Sequence, residues 1–67
     1  MAEHEPYRVR MLRRTRLRGQ LFVVGQVVDI RGDTALRSAA ALVATKQARP
    51  ADERTAVDVA LFEALKA

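Results

Sequence analysis

Apolar residues change their period once along this 67-residue chain, at Gly32 and Asp33, and that one change calls for a sheet followed by helices. Before it, Tyr7, Val9 and Met11 alternate with Arg8, Arg10 and Arg14, interrupted by Leu12, which puts the two sets on opposite faces of an extended strand. Residues 15–19 read as a turn, with Gly19 free to take a positive φ. QLFVVGQVVDI, residues 20–30, is rich in β-branched and aromatic residues but divided by Gly25. It predicts strands over 20–23 and 27–30, or one strand sharply bent at Gly25. The expectation over residues 7–31 is a small antiparallel β-meander, with SH3-like hairpins as one form of it.

After the change, Leu36, Ala39, Ala40, Val43 and Ala44 recur at helical spacing. Asp33 is placed to cap this helix and Lys46 to sit near its negative end, so the helix is expected over 33–46. Pro50 disfavours α geometry at Arg49 and stops it, with residues 47–49 available as a short edge strand. Asp52 is a second cap, opening a helix over 52–66 whose stripe is Val57, Ala60, Leu61, Ala64 and Leu65. Phe62 widens the stripe and Val59 falls outside it. The fold class expected is therefore α+β, one domain over 1–67, with residues 1–6 as a flexible tail.

Such a chain has little with which to hold itself together. Of its apolar residues 12 are alanine and 21 are larger, tryptophan is absent, and Tyr7, Phe22 and Phe62 are the aromatics. Cysteine is absent too, so neither a disulfide nor a thiolate metal site supplements the core. A covering partner would help, and the broad stripe of the second helix, Val57, Leu61, Phe62 and Leu65, is the candidate packing or oligomer face.

The same inventory leaves catalysis without parts. His4 stands alone in the tail, Ser38 is the sole serine and lies mid-helix, and no base stands at a fixed offset from any threonine. Gly19, Gly25 and Gly32 are too widely spaced for a dinucleotide loop, and Thr45-Lys46 lacks the glycines of a phosphate loop. Asp29 and Asp33 are accounted for as a strand end and a cap. The expectation is no enzyme, no cofactor, no metal and no small-molecule substrate. The polar, acidic opening MAEHEP and the lack of an apolar run near the roughly 18 residues of a membrane span read as a soluble, intracellular chain.

Charge is distributed unevenly. Residues 1–32 carry seven arginines against three acids, whereas residues 33–67 carry five groups of each sign. Were residues 8–18 one extended strand, Arg8, Arg10, Arg14, Arg16 and Arg18 would share a face at a repeat of roughly 6.7 Å, suited to a polyanion. Arginine outnumbers lysine ten to two, and the guanidinium fork suits phosphate and carboxylate. Charged edge strands that discourage aggregation, with arginines paired to Asp29, Asp52 or Glu53, give the same pattern.

The run VRMLRRTRLRGQLFVVGQVVDI, with LVATKQA after it, resembles a group of very small proteins encoded in tailed bacteriophages and prophages. Gly19, Phe22, Gly25, Gln26, Val27, Val28, Leu42, Val43 and Ala48 carry the likeness, which covers residues 7–50. Lys46 stands where that outline has the glycine that closes the helix. The resemblance implies a non-enzymatic structural or accessory protein, partnered by itself or by phage structural proteins, in the cytoplasm of a bacterial host or in the virion. Two other functions fit the charge. One is a nucleic-acid-binding module using the arginine strand, in a β-ribbon version of which residues 26–31 pair between subunits and residues 7–19 form an arm. The other is a basic adaptor or inhibitor of an acidic protein.

Overall fold

The computed structural model describes residues 5–66, and it is an α+β arrangement of antiparallel strands and two helices. The tail expected over residues 1–6 lies outside the described residues up to His4. In chain order the elements are β1 (Tyr7–Met11), β2 (Thr15–Leu17), β3 (Gln20–Phe22), β4 (Val27–Ile30), α1 (Ala35–Ala44), β5 (Ala48–Pro50) and α2 (Glu53–Lys66).

β1 alternates as its sequence requires: Val9 and Met11 are fully buried while Arg8 and Arg10 are exposed. It is the central strand of a three-stranded sheet of order β4-β1-β5, antiparallel to both neighbours. Val28 and Ile30 of β4 and Ala48 of β5 join Val9 and Met11 on the inner face, which α1 and α2 cover. The chain does not run through this sheet as a simple meander. β2 and β3 form a separate two-stranded hairpin between β1 and β4, so the strands adjacent in space are distant in sequence. That arrangement also corrects the ribbon version of nucleic-acid binding, since residues 7–11 are the middle of the sheet and not an arm.

Two turns explain Gly19 and Gly25. Arg18 (φ 50°) and Gly19 (φ 79°) together make the two-residue turn of the β2–β3 hairpin, whose right-handed strand twist favours positive φ at both positions. Thr15–Leu17, expected within a turn, is thereby strand. Gly25 (φ 87°) sits third in a turn closed by the Gln26 amide on the Val23 carbonyl at 3.1 Å. It also forms a bulge: the Gly25 amide donates to the Met11 carbonyl at 2.8 Å while the Met11 amide donates to Gln26 at 2.9 Å, so two residues oppose one. Of the two alternatives for residues 20–30 the chain takes separate strands, β3 ending at Phe22 and β4 beginning at Val27.

α1 begins two residues later than expected. Thr34, not Asp33, is its N-cap, and no side chain bonds to the first-turn amides. Ala35, Ala39, Ala40 and Leu42 are its buried residues, with Leu36 and Val43 half-buried and Ala44 exposed, so the inner face is rotated toward Leu42 from the one expected. Small side chains there bring the helix close to the sheet. At its far end the Lys46 amide donates to Val43 and the Gln47 amide to Leu42 (3.1 and 2.9 Å), the paired bonds of a left-handed helix stop. Lys46 holds φ 63° to make them, a conformation that favours glycine. Lys46→Gly is expected to raise unfolding free energy by about 1 kcal/mol, read as the shift of the urea midpoint; a lowered midpoint would refute strain at this position.

Candidate interaction surfaces

The expected five-arginine face is not continuous. β1 ends at Met11, Arg14 lies in the connection, Arg16 is in β2 and Arg18 occupies the hairpin turn, so only Arg8 and Arg10 share the open face of the main sheet. All five remain exposed. Arg8 faces Asp29 across the strands, with Nε to Oδ1 at 3.3 Å, and Arg31 approaches the other oxygen at 3.8 Å. Arg10 stands between Val27 of β4 and Arg49 of β5 in register, and its Nη1 donates to the Gly25 carbonyl at 3.2 Å. Arg49 was not singled out by the sequence; its signal is slight, an exposed residue between buried Ala48 and half-buried Pro50, and only the β1–β5 pairing brings it beside Arg10.

α2 is oriented by polar contacts that link it to β1. Asp52 Oδ1 accepts the Thr55 amide at 2.8 Å, the cap expected from the sequence. Thr55 is fully buried, and its Oγ1 accepts the Arg8 backbone amide at 3.0 Å, satisfying a donor of the central strand. One turn on, the Tyr7 hydroxyl donates to Asp58 Oδ2 at 2.7 Å, while the Arg54 guanidinium lies 4.2 Å from the centre of the Tyr7 ring and donates to the Pro6 carbonyl at 3.1 Å. The hydrogen bond to the Asp58 carboxylate holds the Tyr7 phenol above its ordinary pKa, with burial adding to it.

These contacts turn the helix relative to the stripe expected from spacing. Val59, expected outside the stripe, is buried, and Phe62 is half-buried against the core rather than free for a partner. Val57, Leu61 and Leu65 lie on the other side, 50%, 58% and 86% exposed. Ala60 and Ala64 are exposed with them. Of the four side chains named for a packing or oligomer face, Val57, Leu61 and Leu65 are therefore outward and Phe62 is inward.

A half-open cleft of about 490 Å³ lies between the β2–β3 hairpin, β4 and α1. Leu17, Phe22, Val28 and Leu42 line it, with Arg18 and Arg31 among its polar groups. Among the described residues no three His, Cys, Asp or Glu side chains converge as metal ligands, and no helix is long and apolar enough to cross a membrane.

No family model, curated protein or solved structure matches this chain.

Asp52 gives the α2 junction a pH dependence. Hydrogen bonds from the Thr55 hydroxyl and then the Thr55 amide hold its carboxyl below the ordinary aspartate pKa. A lowered folded-state pKa stabilises above the unfolded value, and the gain is lost as pH falls through the folded one. Asp52→Asn keeps a capping oxygen but does not titrate. Its melting temperature should therefore fall less than the wild type's between about pH 6 and about pH 2; parallel curves would rule the linkage out.

Proposed function

We propose that this chain is a non-enzymatic small structural or accessory protein of the kind carried by tailed phages, and that it acts through protein assembly, first of all with a second copy of itself. The observation that carries this reading is the outward row of Val57, Leu61 and Leu65 on α2. Thr55, Val59 and Phe62 already occupy the inner side of the same helix, so the exposed half or more of each outer side chain is left uncovered by one protomer. A helix apolar on both sides is ordinarily covered on both.

The row suits a copy of itself. α2 has 14 residues, about 21 Å of helix, and Leu61 lies near its middle. A two-fold axis beside Leu61 would set Val57 of one helix toward Leu65 of the other. The exposed Ala60 and Ala64 allow the axes to approach closely, as small residues do in other helix pairs. Stability argues the same way: a core of ten buried apolar residues among those described, four of them alanine, gains from covering a further helix face. The resemblance over residues 7–50 to small phage proteins is compatible with this role, although α2 lies outside that likeness.

Light scattering or native mass spectrometry of the wild type should give a dimer or larger species. Leu61→Asp should convert it to a monomer that retains the wild-type circular dichroism spectrum. Val59→Ala, on the inner side, should instead lower stability by about 2 kcal/mol without selectively dissociating folded protein. A wild type that stays monomeric at high micromolar concentration refutes self-assembly.

A further inference from the structure

The open face of the β4-β1-β5 sheet, opposite both helices, presents Arg8 and Arg10 from β1, Val27 and Asp29 from β4 and Arg49 from β5. Its charges are not balanced. The one carboxylate there, Asp29, is shared by Arg8 and Arg31. Arg10 and Arg49 stand directly opposite each other in register, with no acid across from either on this face. Arg49 has no ion pair among the described residues, and Arg10 is held by a backbone carbonyl rather than a carboxylate. Like charges in direct cross-strand register destabilise a sheet, so this pair is a cost to the fold of an isolated protomer.

We infer that Arg10 and Arg49 form a phosphate-binding pair through which this sheet face docks on the backbone of a nucleic-acid duplex. Two guanidinium forks on adjacent strands, that of Arg10 bonded to the Gly25 carbonyl at 3.2 Å, are donors of the kind that phosphate oxygens accept. An anion between them removes the repulsion that the fold alone leaves. Arg8 extends the row along β1, although its contact with Asp29 weakens its share.

The occupant follows from what the face lacks. Val27 is the one large apolar side chain that its strands present, with the exposed Leu12 directly after β1 beside it, and neither supplies the buried apolar or aromatic centre that a protein partner would need. With no aromatic on the face there is no platform for unpaired bases, which leaves the sequence-independent contacts of a duplex backbone. This site lies on the sheet, α2's outward row lies beyond the opposite face, and the inference does not rest on self-assembly.

Fluorescence anisotropy with a labelled DNA duplex of about 20 base pairs, titrated from low to moderate salt, tests the site. The wild type should bind with an affinity that falls steeply with salt. Arg10→Ala with Arg49→Ala should weaken low-salt binding at least tenfold and reduce the log-log salt slope by about 2, close to 0.9 for each lost contact. Arg37→Ala, on α1, should leave the slope within experimental error of wild type. Because the paired arginines repel, the double variant should melt no lower than wild type, which separates lost contacts from lost folding. No binding at low salt, an unchanged slope in the double variant, or equal binding of poly-glutamate would each overturn the assignment. Leu61→Asp should still bind, so failure here and failure of self-assembly are read independently.

Discussion

Burial of one side of β1 is the constraint on which the rest of the molecule depends. Val9 and Met11 are removed from water almost completely, and a strand with two buried residues on one face must expose its alternate residues on the other. Arg8 and Arg10 are thereby committed to the solvent side by the same geometry that builds the core. Because β1 is central, both neighbouring strands take their register from it, and that register sets Asp29 beside Arg8 and Arg49 beside Arg10. Core and charged surface are two results of one alternation.

Polar contacts complete what the small core leaves unfinished. Apolar burial alone would let α2 rotate, since Val57, Val59, Leu61, Phe62 and Leu65 surround most of its circumference. Thr55 on the Arg8 amide and Asp58 on the Tyr7 hydroxyl fix one rotation. Both contacts join α2 to β1, so the central strand also decides which helix face remains outside. Leaving the Arg8 amide unsatisfied would cost a few kcal/mol in so small a domain, and this gives Thr55 an effect out of proportion to its size.

What the sequence makes legible is what depends on neighbours along the chain. The alternation at residues 7–11, the break at Gly25 and the Asp52 cap are local, and the structure contains each of them; the stop expected from Pro50 is made earlier, where α1 ends at Ala44 and Lys46 turns left-handed. Pairing is different. Nothing within residues 8–18 announces that β2 leaves the main sheet, so an extended five-arginine face was the natural expectation and the hairpin dissolves it. Arg49 is not legible as a neighbour of Arg10, because their register is fixed only once β5 lies beside β1. The rotation of α2 is not legible in the sequence, because the apolar spacing 57, 60, 61, 64 and 65 is a good helical stripe. The stripe actually buried, 55, 58, 59 and 62, has the same spacing but begins with two polar residues that find partners on β1. Lys46 is a mixed case: its place near the negative end of the helix suits a cation, but its φ of 63° is one that favours glycine.

Amide hydrogen exchange followed by NMR tests the central position of β1 most directly. Bonded on both edges and covered by two helices, the amides of Val9, Arg10 and Met11 should exchange among the slowest in the chain, near the rate set by global unfolding. Those of Arg16 and Leu21 in the separate hairpin should exchange much faster. Protection at residues 9–11 no greater than in the hairpin would contradict the account.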